Sequence, residues 1–348
     1  MGQPTPTSIV MLDRLVFPPG TGLQLENDGT DLDIKAEDDG SLVLLPASED
    51  TAAAGFARRR SVNRKLLLQA TETDILNWPA GQTVEFFSVR NAVVVRPVDG
   101  RHHAGFTNPA IGADGLPIPP NWLMQAFTSN TNTEGALNTG RRTAELVTEF
   151  SRTYGPELRE GMSVLDFGCG IGRVARFFPQ VSGADVIGCD LHEAAIEWCQ
   201  AHMPHGTYLQ GTPAPPLDLA DNSVDLLLAV SVLTHLDENL EDKWLADWKR
   251  VLKPGGLAVV TYHGVGLIEA NIPKESPVRD WIEQEWEKRG GIAFLDNKAW
   301  EGVFPDIYQT TYHSEDHLRR VWGAHFEILD LLPSGNFTNT QDVAILRA

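Results

Sequence analysis

The sequence predicts an α/β fold in which residues 136–348 alternate strands and helices behind a smaller β-rich or α+β region, residues 1–115. Three observations carry this reading. An apolar strand at residues 164–167 runs directly into glycines at 168, 170 and 172 and then into a helical stretch. Further apolar strands at 185–190, 224–230 and 257–260 are each preceded or followed by an amphipathic stretch, the alternation expected of a parallel sheet. Upstream of residue 115, short apolar segments are punctuated by Gly, Asp and Asn, the pattern of antiparallel strands and turns.

Taken in order, residues 9–17, 23–26, 32–35 and 42–45 read as strands, and residues 52–69 as one helical patch. The clearest hairpin joins 84–89 to 92–96 through Arg90-Asn91. Four prolines and two glycines within 108–121 mark a linker, drawn at residues 116–135. A helix with apolar residues at helical spacing is expected over 141–150.

The glycine loop is the most informative stretch. Gly168, Gly170 and Gly172 remove the Cβ atoms that would keep a ligand off the backbone and permit the positive φ of a tight strand-to-helix turn, followed by a helix over 173–178. A dinucleotide fingerprint would need its third glycine where Arg173 stands, which weakens a pyrophosphate reading. The strand at 185–190 ends in Asp190, 18 positions beyond Gly172, and a helix from His192 follows. An acid in that place accepts both hydroxyls of a ribose. It also serves as a helix cap.

Together with the segments 221–236, 252–260 and 341–346, these residues resemble class I S-adenosylmethionine-dependent methyltransferases over roughly residues 136–348. The resemblance implies a Rossmann-like, seven-stranded, mostly parallel sheet with flanking helices, ordered 3-2-1-4-5-7-6 with the seventh strand antiparallel. Its last two strands would be 326–331 and 342–346, and residues 264–324 an insertion after the fifth. It implies S-adenosyl-L-methionine as cofactor. Asp166, Gly168, Gly170 and Gly172, with Cys169 and Arg173 in the same loop, would hold the methionine end. Asp190, with Leu191 beside it, would hold the ribose, and Ser231 and Val232 would complete the site after the fourth strand. Where many members carry an acid against the adenine, this chain has Gly211-Thr212-Pro213, which leaves Gly211 and Thr212 as the adenine contacts.

Charge narrows the acceptor. The net charge is −19; residues 1–115 hold 10 Lys or Arg against 15 Asp or Glu, leaving 18 against 32 in the remainder. Nucleic-acid binding relies on clustered cations, so DNA and RNA are disfavoured. The run Arg58-Arg59-Arg60 with Arg64 and Lys65 reads as a solvated helical face or as a patch that grips an acidic group. Cys169, Cys189 and Cys199 lie too close to the loop and second strand to suggest a disulfide framework. No apolar run has the length of a membrane helix, and the first residues carry neither a secretory nor a myristoylation signal, so a cytoplasmic protein is expected, with a homodimer left open.

Methyl transfer from a sulfonium is an in-line displacement, in which alignment contributes roughly 7–11 kcal/mol and a positioned base on the order of 10²- to 10⁴-fold in rate. If the acceptor is a hydroxyl, His263 at the end of the fifth strand is the favoured base, ahead of His235, with Tyr262 beside it. No metal is expected: His313-Ser314-Glu315-Asp316-His317 departs from H-E-x-x-H, and Ser314 reads as a helix cap before two acids. Trp281, Trp286 and Trp300 lie in the insertion, where they either stack on an acceptor or fix the insertion to the sheet. The expected activity is O-methylation of a small-molecule or glycan acceptor. The alternatives are a peptide or protein acceptor, methylation at N, S or C of a small metabolite, and a non-enzymatic cofactor-binding protein.

Overall fold

Alternating apolar residues between turns give the first part of the chain its strands: β1 (Ser8–Ile9), β2 (Arg14–Val16), β3 (Asp31–Ala36), β4 (Leu42–Pro46), β5 (Ala57–Arg60), β6 (Lys65–Leu67), β7 (Thr83–Val89) and β8 (Ala92–Pro97). The computed structural model describes these strands, residues 109–120 with Leu123, Met124 and Phe127, and residues 133–295, 309–337 and 341–348. Six strands form an antiparallel sheet in the order β1-β7-β8-β4-β3-β5, and β2 pairs with β6. Ile34, Leu42 and Leu44 are fully buried, two apart on β4 and opposite on β3, as a half-buried pleat requires. The expected hairpin is β7–β8, closed by Val89 opposite Ala92.

The helical patch over 52–69 is corrected: β5 and β6 occupy it. Helix propensity in an Ala/Arg run is a weak prior, and here β3 offers an edge whose register sets Asp31 opposite Arg60 and Asp33 opposite Arg58. Arg58-Arg59-Arg60 therefore belongs to a strand rather than a helical face. The strand expected at 9–17 is divided between β1 and β2, and the one at 23–26 lies outside the described residues.

The chain divides into two compact units, Met1–Thr133 with Glu301–Phe304, and Glu134–Trp300 with Pro305–Ala348. The second opens on α1 (Thr133–Tyr154), which starts ahead of the expected residue 141 with Glu134 in its first turn. Then come β9 (Ser163–Phe167), a 3₁₀ turn at Ala175–Phe177 and α2 (Phe178–Val181), so the helix expected from 173 begins late and tight. β10 (Asp185–Asp190), α3 (Glu193–His202), β11 (Gly206–Gln210), β12 (Val224–Ala229), α4 (Glu238–Val251) and β13 (Leu252–Tyr262) follow. After α5 (Val265–Asn271), α6 (Pro277–Arg289), β14 (Ile292–Leu295) and β15 (Thr310–His313), the one-turn α7 (Glu315–His317) passes through a π-helical turn, Leu318–Trp322, into α8 (Gly323–His325). β16 (Glu327–Leu332) and β17 (Asp342–Arg347) close the chain.

The seven strands order as β11-β10-β9-β12-β13-β17-β16, parallel except for β17, which is the expected 3-2-1-4-5-7-6 arrangement. β12 is buried along its whole length, as a central strand covered on both faces must be. Over one face, Phe167 packs edge-on against Trp244 and Trp248 of α4, with ring centroids 4.7 and 5.1 Å away. The stretch after β13 has its own small core of Leu267, Ile268, Ile282, Ala293 and Tyr312, against which Trp281 and Trp286 pack. The Trp286 Nε1–H also donates to the Tyr312 carbonyl at 3.2 Å, so these two tryptophans are structural; Trp300 lies outside the described residues.

One glycine joins α1 to the loop after β9. A Cβ at Gly140 would lie 2.1 Å from the Arg173 carbonyl oxygen, so only glycine lets the helix approach so closely. Gly140→Ala is expected to cost about 1–3 kcal/mol by overpacking against backbone, measured as a lowered denaturant midpoint at unchanged slope.

Candidate functional site

The loop after β9 is built by backbone conformation. Gly168, Gly170 and Gly172 have φ of 80°, 53° and 69°, the left-handed region that side chains disfavour. The Gly168 and Cys169 N–H groups both donate to the Cys189 carbonyl, at 2.7 and 3.0 Å, which docks the loop on the end of β10. A Cβ at Gly168 would stand 2.6 Å from Val232 Cγ2, so the loop also meets the turn after β12. Cys169 is buried, its thiol 3.6 Å from the Gly170 carbonyl.

Asp190 closes this loop. Its Oδ2 accepts from the Gly170 N–H at 2.7 Å and its Oδ1 from the His192 N–H at 2.8 Å. The cap of α3 is His192 itself, whose Nδ1 accepts from Ala195 N–H, so Asp190 acts one step upstream of the cap. Burial raises its carboxyl against the pull of the His192, Gly170 and Leu191 amides. Gly211 N–H donates to the Asp190 carbonyl at 2.8 Å, Leu191 takes the Gln210 amide on its carbonyl, and Thr212 is exposed with its hydroxyl on the Ala214 carbonyl. The structure thus brings Asp190, Leu191, Gly211 and Thr212 to one edge of the loop.

Asp166, on β9, is buried and accepts from Ala175 N–H at 3.2 Å. Burial pushes its carboxyl up to about 7, against the opposing pull of the Arg173 guanidinium and the Ala175 amide. Arg173 is half-buried as a residue, yet its Nη1 is enclosed and has no hydrogen-bond partner among the described residues.

The opposite rim comes from the turns after β12 and β13. Ser231 is a non-glycine residue at φ 61°, held there by Thr261 Oγ1, which takes its N–H at 2.7 Å, and by the Gln341 side-chain amide on its hydroxyl. His235 Nδ1 lies 2.7 Å from the Gln309 carbonyl, and His263 Nδ1 lies 3.1 Å from the Thr311 carbonyl. A carbonyl only accepts, so both Nδ1 atoms carry a proton. The two rings stand edge to face, 6.4 Å apart. Burial and the charge of His313 lower the His263 pKa to about 4, despite the Thr311 carbonyl, so this ring is neutral at physiological pH. Tyr262 is buried edge-on between His313 and Trp322, and burial raises its hydroxyl pKa.

His313 and His317 meet Glu241 of α4 rather than Glu315. Glu241 Oε2 takes His313 Nε2 at 2.6 Å, and its Oε1 takes His317 Nε2 at 2.7 Å and Trp322 Nε1 at 2.9 Å, all with no exposure. Burial pushes the carboxyl up, but His313 and His317 outweigh it and hold the pKa at about 2. Three ligand-type atoms, one each from Glu241, His313 and His317, converge here within 4.8 Å. Arg320 Nη2 approaches His317 Nδ1 at 3.4 Å, and an arginine can only donate, so the His317 proton sits on Nε2. His313 Nδ1 has no hydrogen-bond partner among the described residues. Ser314 caps α7, accepting from His317 N–H at 3.2 Å as expected.

Sequence reasoning missed Glu241, Gly140, Thr261 and Gln341. The signal for Glu241 was present: it falls with Trp244, Leu245 and Trp248 on the i, i+3, i+4, i+7 stripe that α4 buries.

Residues 165–260 match the methyltransferase domain family. The chain is 31% identical over 156 residues to a ubiquinone biosynthesis O-methyltransferase of Roseobacter denitrificans, covering 42% of this chain and 61% of that protein. It is 32% identical over 180 residues to a sterol 24-C-methyltransferase of Yarrowia lipolytica, covering 48% and 46%. A solved Burkholderia thailandensis 1,6-didemethyltoxoflavin-N1-methyltransferase aligns at 20% identity and a TM-score of 0.41, over 60% of this chain and 77% of that one. The chain spans less than two thirds of the curated relatives it matches here. Among the described residues, no helix is long and apolar enough to cross a membrane.

Glu241→Ala would leave three buried N–H donors unmatched and is expected to cost about 3–5 kcal/mol, read from denaturant unfolding. His263 has a folded pKa of about 4 against an ordinary 6.5, so the unfolded chain binds more protons between those values and stability falls as pH drops through them. His263→Gln should therefore lose less stability than the unaltered protein between pH 6.5 and 4, compared by unfolding at each pH.

Proposed function

We propose that this member of the class I S-adenosylmethionine-dependent methyltransferases, matched to their domain over residues 165–260, methylates a hydroxyl oxygen of a small-molecule or glycan acceptor. The observation that carries the oxygen assignment is His263: a neutral imidazole with its Nδ1 proton spent on a carbonyl and its Nε2 lone pair beside the carboxyl end of β13. In open α/β sheets ligands bind outside those strand ends.

The chain's residues fit the cofactor. Three left-handed glycines keep side chains off the loop surface, the Asp190 carboxylate at the end of β10 has acceptor capacity beyond its backbone amides for a ribose, and the buried Arg173 Nη1 awaits a partner. When bound, S-adenosylmethionine supplies a methyl group on a sulfonium with its leaving group attached. Asp166, Gly168, Cys169, Gly170, Gly172 and Arg173 would hold the methionine end, Asp190 and Leu191 the ribose, Gly211 and Thr212 the adenine, and Ser231 and Val232 the near wall. His263 Nε2 accepts the hydroxyl's hydrogen bond and aims an oxygen lone pair; with a pKa of about 4 it orients the acceptor more than it deprotonates it. His235, turned by the Gln309 carbonyl in the same way, supports that ring. Residues 1–115 and the insertion after β13 are proposed to select the acceptor.

Asp190→Ala is expected to weaken S-adenosylmethionine binding by at least about tenfold, since a carboxylate that accepts two hydroxyls makes charge-assisted bonds; titration calorimetry checks it, and unchanged affinity in a folded variant removes the ribose role. With an oxygen acceptor, kcat/KM should be flat from pH 6 to 8 and fall toward pH 4 as His263 protonates, and His263→Ala should lower kcat by about 10²-fold while leaving cofactor affinity unchanged. Retained turnover in that variant would show that His263 does not position the acceptor.

A further inference from the structure

Resting on the reading of His263 as the partner of the acceptor's hydroxyl, we propose that this hydroxyl sits on an aromatic ring: the acceptor is a phenol, seated against the rings of His235, His263 and Tyr312 with Val265 at its edge. The rings already stand in series. His235 meets His263 edge to face at 6.4 Å, and Tyr312 lies tilted by 39° against His263 at 5.5 Å. Aromatic pairs favour such arrangements over a face-to-face sandwich, and a further ring continues them. Side chains alternate along β15, so Thr311 and His313 take one face of the strand and Tyr312 the other. Two positions beyond His263, Val265 opens α5 and is 50% exposed, an apolar neighbour for a ring and no partner for a hydroxyl.

The polar side chains of this rim, among the described residues, argue against a sugar. A sugar carries a hydroxyl on nearly every carbon, and each one that leaves water without a partner costs free energy. Thr261 and Thr311 are fully buried, with Thr261 Oγ1 on the Ser231 N–H and the Thr311 hydroxyl on the Leu236 carbonyl at 2.7 Å. The Ser231 hydroxyl already receives the Gln341 amide, and Nδ1 of each histidine is spent on a carbonyl. Ring surface and the His263 Nε2 remain, the complement of one hydroxyl on an apolar plane. Proton chemistry selects the same class. Burial and the charge of His313 lower the His263 pKa to about 4. So weak a base is a poor match for an alkanol, about as acidic as water at about 15.7, and a better one for a phenol at about 10. As an oxygen lone pair forms the bond to the methyl carbon and the S–C pair stays on sulfur, the phenolic proton crosses to Nε2 and passes to water. A neutral ether and a thioether are left.

The test is titration calorimetry on the full chain with S-adenosylhomocysteine present, which reads acceptor binding apart from turnover. The probes are naphthol, its saturated counterpart decahydronaphthol, methoxynaphthalene and methyl glucoside. Naphthol should bind about three- to tenfold more tightly than decahydronaphthol, the margin of a ring–ring contact, with methyl glucoside weaker still. Methoxynaphthalene, which has no hydroxyl to donate, should bind about three- to tenfold more weakly than naphthol, and His263→Ala should remove that difference. Val265→Ser, a surface change that leaves the fold alone, should weaken naphthol about fivefold and leave S-adenosylhomocysteine affinity unchanged. With S-adenosylmethionine, mass spectrometry should find naphthol converted to methoxynaphthalene. Decahydronaphthol or methyl glucoside bound as tightly as naphthol, each weakened by His263→Ala, would overturn the phenol while leaving the hydroxyl at His263. Naphthol and methoxynaphthalene bound alike by the unaltered protein and by His263→Ala would overturn the reading of His263 and the phenol with it. No binding of naphthol would overturn the phenol.

Discussion

The rim formed by the turns after β12 and β13 depends on one buried carboxylate. Glu241 receives N–H groups from His313 at the end of β15, His317 in α7 and Trp322 in the π-helical turn, and so ties the stretch after β13 to α4. The Gln309 and Thr311 carbonyls at β15 are held in turn, and they fix the tautomers of His235 and His263. A carboxylate with three donors tolerates burial, whereas any one of those donors alone would carry its full desolvation cost. The orientation of two histidines at strand ends therefore rests on a residue with no exposure of its own.

The loop after β9 is built differently, from backbone. Left-handed glycines, a shared Cys189 carbonyl and the Asp190 side chain hold the loop without any large side chain entering it. The two constructions meet at Ser231 and Val232. Val232 closes on Gly168, and Ser231 is kept at an unfavourable φ by hydrogen bonds to Thr261 on β13 and to Gln341 just before β17. Strain of that kind persists only where the surroundings over-determine it.

What the sequence made legible was local. A strand followed by alternating glycines, and a second strand ending in an acid, declare themselves within a few residues, and β10 spans the expected 185–190. The strand order was not legible from residues alone and came through resemblance, because pairing across a sheet leaves no mark on neighbours in sequence. The same limit explains β5 and β6: nothing within residues 52–69 says that β3 lies opposite. Glu241 hid in plain sight as a polar residue on an apolar stripe, and its three partners lie more than 70 positions away. Tyr262 was read as a site residue from its strand-end position, whereas its ring turns into the aromatic cluster beside His313 and Trp322.

The place of β17 bears on how the chain is made. β13, the longest strand of the sheet with 11 residues, pairs with β12 on one side and β17 on the other, and Asp342 is 80 positions beyond Tyr262. At usual rates of synthesis those positions take about 4–16 s to emerge from the ribosome. Throughout that interval the nascent chain carries a long apolar strand with one row of peptide groups unmatched, the feature that recruits strands from other copies. The strand that seals the edge is made long after the one it covers, so the period of greatest risk of aggregation is set by translation and comes before the finished fold has any stability to measure.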